Sequence, residues 1–311
     1  MASSDLVRHG DPVLRTGAAG SWEDVDLAAP DVFYDTPNSR WVMNYSGFDG
    51  ASWHTGIATS PDLLTWTKHP SNPVLSPNAQ DGYIAANQSI AYKSGTYYML
   101  YNAAPSGSGA FRCRLATSTD LVNWTRHATD PILAVGDTGT YDSHHQGDPQ
   151  LRLLDDGTLE CWYVSQQTGQ ANSTRGLCRA TSPDCVTWTK DSRNPFWRSP
   201  GQMSADIFGE PNVYRVGNTI QLVFDAALTN NYRRVCRAVS QDNGSSWSYR
   251  WNAVPLGGGG AWDSTINFDG CMVVHDNTVY VFYAGAPNPG ILENMGAQIG
   301  VATATWRADS F

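Results

Sequence analysis

Residues 58–75 read ATSPDLLTWTKHPSNPVL, and the same pattern returns further along the chain. Residues 116–133 read ATSTDLVNWTRHATDPIL, residues 180–197 read ATSPDCVTWTKDSRNPFW, and residues 238–256, AVSQDNGSSWSYRWNAVPL, form a looser copy. The anchor tryptophans of the four copies are spaced 58, 64 and 59 residues apart: Trp66, Trp124, Trp188 and Trp247. A fixed period with one tryptophan in each copy indicates a repeat protein, and a fifth tryptophan follows after one more period, at Trp306.

Each repeat carries the pattern of a four-stranded antiparallel sheet. An aromatic strand of period 2, such as residues 97–101, precedes each ATS segment, and a shorter strand precedes that one. Turn dipeptides such as Gly217-Asn218 and Asp276-Asn277 join the two strands as hairpins. Four such strands repeated radially are typical of a propeller blade. We therefore expect an all-β, five-bladed β-propeller that fills residues 1–311 as one domain. The approximate blades are 28–75, 84–133, 145–197, 207–256, and 265–311 together with 5–14.

The ends of the chain indicate how the ring closes. The fifth repeat lacks the Asn-Pro-Val-Leu ending of the others, and a matching ending, Asp-Pro-Val-Leu, stands at residues 11–14. We expect the N-terminal strand to complete the last blade, with residues 13–14 paired to the strand that contains residues 299–303. Such closure leaves no open edge between the first and last blades.

Composition excludes several classes of function. The net charge is −9 with only 20 basic residues, which argues against a nucleic-acid partner. No apolar stretch is long enough to span a membrane, and residues 1–10 lack the pattern of a signal peptide. The compartment stays open: cytoplasmic, particle-associated, or secreted after loss of a signal. Two of the six cysteines, Cys161 and Cys185, replace apolar residues of other repeats, so we expect buried free thiols.

One position in each repeat, counted back from the start of the second strand, is mostly acidic. It holds Asp31, Asn87, Asp148, Glu210 and Asp269. The first strand of a propeller blade is the innermost, so these side chains are expected to surround the axis near one mouth. Ionised groups are costly to bury without partners, and a cluster of them is typical of a functional site. The alternative is that these acids cap loops or hold water and ions in the channel.

Aromatic and histidine side chains stand in the loops near this ring of acids. Trp22, Tyr141 and Trp262 lie just ahead of ring positions, where aromatic faces would stack on sugar rings. The alternative is that they wedge between neighbouring blades. Other candidates for contact with a substrate are Asn87, Asp269, His54, His144 and His145. The adjacent histidines have no third ligand at a suitable spacing, so they predict no metal site.

With these residues in view, the repeat resembles the five-bladed propeller glycoside hydrolases, especially family 43 and its relatives in families 32, 62 and 68. The resemblance covers nearly the whole chain. It implies three catalytic acids, which match Asp31 in Ala-Pro-Asp-Val, Asp148 in Gly-Asp-Pro and Glu210 in Gly-Glu-Pro-Asn. The first acid of that family is usually followed by proline, whereas Asp31 is preceded by it. A metal-binding histidine of blade five is not evident, because Asn267 and Asp269 stand there.

The resemblance also implies a mechanism. Glu210 would protonate the leaving oxygen, Asp31 would activate water, and Asp148 would orient the sugar and raise the pKa of Glu210. The expected reaction is inverting hydrolysis of a furanoside or pentose-type glycan, with an oligo- or polysaccharide as partner and no cofactor. A nucleophilic Asp31 would give retention instead. The alternatives are a central calcium ion, a phosphorylase like the mannoside phosphorylases, and a carbohydrate-binding propeller of a cell surface or virion that catalyses nothing. The oligomeric state is not assigned.

Overall fold

The computed structural model describes residues 6–104, 110–128, 131–170, 175–198, 208–227, 232–290 and 293–306. These residues form five antiparallel sheets arranged as the blades of a propeller. One short 3-10 turn, Thr36–Asn38, is the only helical element among them. The prediction of an all-β, five-bladed propeller is therefore confirmed. None of the described residues forms a helix with the length and apolar character that a membrane span requires.

The strands follow one order in every blade, from the axis outwards. The first two blades contain β2 (Asp26–Asp35), β3 (Arg40–Phe48), β4 (Trp53–Ser60) and β5 (Thr67–Lys68), then β6 (Ala86–Lys93), β7 (Thr96–Ala103), β8 (Arg112–Ser118) and β9 (Thr125–Arg126). The third contains β10 (His145–Leu153), β11 (Leu159–Gln166), β12 (Gly176–Ser182), β13 (Thr189–Lys190) and β14 (Trp197–Arg198). The last two contain β15 (Phe208–Val216), β16 (Thr219–Ala227), β17 (Arg233–Ser240) and β18 (Ser248–Arg250), then β19 (Ile266–His275), β20 (Thr278–Ala286), β21 (Gln298–Thr305) and, from the N-terminus, β1 (Val7–Arg8).

The repeated Ser-x-Asp segment is a turn that joins the third and fourth strands of a blade. In blade one, Ser60 Oγ accepts the backbone N–H of Leu63 at 2.9 Å, and Asp62 Oδ1 accepts that of Thr65 at 2.7 Å. The indole N–H of Trp66 donates to the carbonyl of Leu63 at 3.1 Å. Blade two repeats all three bonds, and blade three repeats those of the aspartate and the tryptophan. The motif is visible in the sequence because each bond requires a particular side chain.

The N-terminal segment closes the ring as predicted. Val7 pairs with Thr303, and Leu14 forms a bridge with Ile299. The backbone N–H of Val13 donates to the carbonyl of Ile299 at 2.8 Å. The expected pairing of residues 13–14 with the last long strand is confirmed, and β1 extends it further out.

Buried ion pairs brace the loops that lead into the blades. In four blades an acid in the loop before the innermost strand pairs with a lysine or arginine of the outermost strand. The pairs are Glu23–Lys68 (2.7 Å), Asp81–Arg126 (2.8 Å), Asp142–Lys190 (2.5 Å) and Asp263–Arg8 (2.5 Å). Asp81 has a second partner, Arg114, at 2.7 Å. The six cysteines, including Cys161 and Cys185, are all buried free thiols, as expected.

Candidate active site

Each innermost strand contains a two-residue bulge where it passes the axis. The pairing register shifts there in all five blades, and the first bulge residue adopts a positive φ of 43° to 53°. These bulge residues form the ring around the axis: Ala29, Asn87, Asp148, Glu210 and Asp269. They line a cavity of about 40 Å³. A bulge redirects its side chain, so this ring is where the fold presents polar groups to a ligand.

Asp31 does not belong to this ring, and its predicted repeat position was wrong. Ala29 occupies the position in blade one, and Asp31 lies two residues further along β2. The reason is the connection from β2 to β3, residues 36–39, which is two residues longer than the turn at residues 217–218. The same backward count from the second strand therefore stops two residues short of the ring position, at Asp31. The sequence did carry a better signal, since Pro30 follows Ala29 as prolines follow Asp148 and Glu210.

Asp31 is part of a second layer of side chains, which we call the interblade belt: Asp31, Ser89, Gln150, Asn212 and Cys271. Each accepts a backbone N–H from the first strand of the next blade. The donors are Ile90 to Asp31, Leu151 to Ser89 (2.9 Å), Val213 to Gln150 (2.8 Å), Met272 to Asn212 (3.0 Å) and Val32 to Cys271 (3.3 Å). Asp31 also accepts the Ser89 hydroxyl at 2.9 Å. Burial raises the pKa of Asp31. It binds one blade to the next, and it also lines the axial cavity.

Glu210 is a ring residue whose pKa is strongly raised by its surroundings. Its Oε1 accepts the side-chain amide of Asn87 at 2.8 Å, and its Oε2 lies 3.2 Å from Arg233. Burial, followed by the charges of Asp148 and Asp269, raises the pKa of Glu210 well above its ordinary value. Both causes favour the protonated carboxyl group, which is the form that can donate a proton.

Arg233 holds the acids of blades four and five together. Its Nη2 lies 2.6 Å from Asp225 and 2.6 Å from Asp269, and its guanidinium stacks on Phe268 at 4.4 Å. Oxygens of Glu210, Asp225 and Asp269 approach within 4.8 Å of one another, close enough to hold a metal ion. The guanidinium touches all three and supplies the positive charge that a metal would bring. The geometry around this trio therefore favours an arginine-centred cluster.

Asp148 is held by its neighbours on both sides. Asn102 donates its amide to Asp148 Oδ1 at 2.8 Å and accepts the Asp148 backbone N–H at 2.9 Å. The backbone N–H of Glu210 also bonds to the Asp148 carboxylate. Burial raises the pKa of Asp148, and the positive charge of Arg175 opposes that rise. Asp148 is thus fixed beside Glu210, where the sequence analysis expected it.

The two adjacent histidines occupy different environments. His145 is fully buried, and its Nδ1 accepts the backbone N–H of Phe111 at 3.2 Å, so its proton is on Nε2. Burial lowers the pKa of His145 well below its ordinary value. The imidazole packs behind the ring, against Gly147. His144 meets Arg112 through its backbone carbonyl, at 2.6 Å. Neither histidine lines the axial cavity.

The predicted aromatic contacts lie away from the axial cavity. The Trp22 ring covers Gly47 and Gly56, and the Trp262 ring covers Gly285 and Gly300 in the same way. Trp262 stacks on Tyr283 at 5.7 Å, and Tyr141 receives a hydrogen bond from Asn194 at 3.2 Å. His54 bonds to Ser76 and Asp49. Of the residues expected to bind substrate, the structure brings Asn87 and Asp269 to the ring and places these four in the packing of the blades.

Four residues of the site were not predicted: Asn102, Arg175, Asp225 and Arg233. Asn102 and Asp225 stand at the same place in their blades, opposite the residue just before the bulge on the first strand. A polar residue near the end of an apolar second strand is the sequence signal for them. Arg175 and Arg233 immediately precede or begin the third strands, and they share one repeat position, five residues before Ala180 and Ala238.

Solved structures with the same fold include several glycoside hydrolases. One described as a glycoside hydrolase has a TM-score of 0.73 and 19% identity, covering 97% of this chain and 93% of its own. A thermostable family-43 glycoside hydrolase has a TM-score of 0.65 and 15% identity, covering 96% and 94%. These likenesses establish the fold. It is the five-bladed propeller of glycoside hydrolases, as the sequence pattern predicted.

Two further proteins are similar to this chain. A structure from work on the GH130 mannoside phosphorylases, a family that contains hydrolases of β-1,2-mannosidic linkages in Candida mannan, has a TM-score of 0.68 and 17% identity over 99% of this chain and 97% of its own. A β-fructofuranosidase of Oryza sativa subsp. japonica, insoluble isoenzyme 6, is 25% identical over 181 residues. That match spans 53% of this chain and only 28% of the rice protein. No family model matches the chain.

Proposed function

We propose that this protein is a glycoside hydrolase in which Glu210 donates the proton to the leaving oxygen. The observation that carries this proposal is the placement of a half-buried Glu210, with a strongly raised pKa, in the axial ring beside Asp148 and Asp269. Cleavage of a glycosidic bond requires a carboxylic acid that is protonated near neutral pH. Asp148 contributes its negative charge, which keeps the proton on Glu210.

The residue that activates water is proposed to be Asp269 rather than Asp31. Residue 29 offers only a methyl group to the ring, and the attacking water is proposed to occupy the space beside it. Asp269 Oδ2 accepts the backbone N–H of Ala29 at 3.0 Å, so its carboxylate borders that space. Burial raises the pKa of Asp269 to about 7, against the lowering effect of Arg233. A base with a pKa near the working pH is efficient.

The substrate class follows from the neutral and acidic character of the ring. Carboxylates and the amide of Asn87 are suited to sugar hydroxyls, which both donate and accept hydrogen bonds. The net negative charge of Asp148, Asp225 and Asp269 around Arg233 disfavours an anionic sugar at this point. A furanoside or pentose-type glycan is the proposed substrate, with the partial likeness to a β-fructofuranosidase as its support.

One observation favours a second function, glycan binding without turnover. Ala29 replaces a carboxylate at the ring position of blade one, and Arg233 neutralises Asp269 through a 2.6 Å ion pair. Both features reduce the power of the site to activate water. A binding protein needs only the hydroxyl-binding groups of the ring, and these are present.

The test is a panel of aryl furanosides, aryl pyranosides and natural oligosaccharides, assayed with wild type and Glu210→Gln. The hydrolase proposal requires turnover by wild type that the variant largely loses. Each reaction is run with and without inorganic phosphate, because a sugar phosphate product would identify a phosphorylase. Saturable binding of a glycan by calorimetry, with no product in either buffer, would establish the binding function instead.

A further inference from the structure

The opposite mouth of the channel opens into a larger cavity, of about 390 Å³. This volume falls within the range of about 300–1,000 Å³ that small-molecule sites occupy. Its floor is made by members of the interblade belt, Asp31, Gln150 and Asn212. Its wall is the next layer of the innermost strands, which is largely aromatic and apolar: Phe33, Ala91, Arg152, Tyr214 and Val273. The interblade belt therefore separates the polar axial cavity from a second cavity whose wall is largely aromatic and apolar.

Arg152 gives this second cavity a positive charge. Its guanidinium stacks over the ring of Tyr214 at 5.6 Å and donates to the backbone carbonyl of Val213. Among the residues that the structure describes, no carboxylate lies within ion-pair distance of it. Burial lowers the pKa of Arg152, and the charge of Glu160 opposes that effect. A guanidinium can bind a carboxylate through two hydrogen bonds, and the aromatic ring beside it can pack against a flat ring of the same ligand.

The neighbouring charges add to this effect. Glu160 is the nearest acid on the adjoining strand, and it is already shared by Arg179 at 2.5 Å and Arg215 at 3.7 Å. Three arginines thus surround one buried carboxylate. Asp31, on the floor of the cavity, is engaged by Ser89 and by the backbone of Ile90. Neither acid is thus free to pair with Arg152, and Arg179 is itself balanced by Asp191 at 3.0 Å.

We propose that this cavity, lined by Phe33, Arg152 and Tyr214, is a second ligand site that binds a small ring compound bearing one carboxylate. Arg152 would bind the carboxylate, and Tyr214 and Phe33 would pack against the ring. Two sources share this chemistry, an aryl acid and a uronic acid. The site lies at the opposite end of the axis from Glu210 and does not depend on the proposed hydrolysis.

The test measures binding to the full-length protein by titration calorimetry. The probes are phenylacetate and glucuronate, each paired with a neutral analogue, benzyl alcohol and methyl glucoside. The proposal requires saturable binding of at least one acid in the millimolar range or tighter, and clearly weaker binding of its neutral analogue. Whichever acid binds identifies the source. Equal binding of acid and neutral analogue, or no saturable binding of either acid, would overturn the proposal.

Variants locate the binding site. Arg152→Met removes the charge and should weaken the acid by roughly ten- to a hundred-fold, as expected for loss of a charged hydrogen bond. Arg193→Gln is the matched control, because it removes an exposed arginine of the same blade that does not line the cavity, and its binding should equal that of wild type. If Arg152→Met does not fold, Tyr214→Leu decides, since loss of the ring must also weaken the acid. Unchanged binding in the folded variant excludes this cavity.

Discussion

The side-chain amide of Asn87 in blade two donates a 2.8 Å hydrogen bond to Oε1 of Glu210 in blade four. The two residues are not in adjacent blades, so this bond crosses the channel and covers the cavity beneath it. Together with the 3.2 Å contact between Oε2 and Arg233, this bond engages both oxygens of Glu210.

Glu210→Gln tests the proton donor while preserving the shape of the ring. We expect the rate on substrates with poor leaving groups to fall by about 10²–10⁴-fold, because protonation of the leaving oxygen is lost. Aryl glycosides with activated leaving groups need less protonation and should lose much less. Initial rates on the two substrate classes measure this difference. An equal loss on both classes would contradict the role of Glu210 as acid.

The pH dependence of kcat/KM tests the assignment of acid and base. Asp269 must be ionised to act as base, so activity should rise as the pH rises through about 7, the pKa of Asp269. Activity should fall again at higher pH, where Glu210 loses its proton. Asp148→Asn removes a negative charge that raises the pKa of Glu210, so the falling limb should move to lower pH. A falling limb that does not move would show that Asp148 is not coupled to the acid.

A pair of variants distinguishes Asp269 from Asp31 as the residue that activates water. Asp269→Asn should lower the rate by about 10²–10⁴-fold on every substrate, activated or not. Asp31→Asn keeps an oxygen that can accept the N–H of Ile90, so the rate should stay within a few-fold of wild type. Full kinetic profiles of both proteins, with melting temperatures as controls for folding, make the comparison. The reverse pattern would restore Asp31 as the base.

The role of Asp31 in the fold is tested by stability rather than by rate. Asp31→Ala removes the acceptor for the Ile90 N–H and should lower the free energy of unfolding by about 1–3 kcal/mol. Asp31→Asn, which keeps an acceptor, should lose less. Urea denaturation of the two variants beside wild type gives both values. An alanine variant as stable as wild type would remove Asp31 from the interblade belt.

The seam between the first and last blades depends on Arg8. Arg8→Gln leaves the fully buried Asp263 without its cation, and the loss of unfolding free energy should be about 3–5 kcal/mol. Arg126→Gln in blade two is the matched control. Asp81 keeps Arg114 as a second partner, so its loss should be clearly smaller. Equal losses in denaturant titrations would show that the seam is no weaker than the other blades.

The sequence predicted the architecture because the turn motif requires specific side chains. Ser60, Asp62 and Trp66 make bonds that few other residues can make, so their spacing shows the blades directly. The ring was predicted in four blades and missed in the first, where the longer connection at residues 36–39 shifted the count. Arg233 could not be predicted, because its position is meaningful only once blades four and five are placed side by side.

The interblade belt explains why the internal repeat is so faint near the axis. A carboxylate, a hydroxyl, two amides and a thiol perform the same task there, because the task requires only one atom that accepts a hydrogen bond from a backbone N–H. Substitutions among such residues can accumulate without loosening the ring. The internal repeat is therefore clear in the peripheral turns and weak at the interblade belt, where several residue types can do the same task.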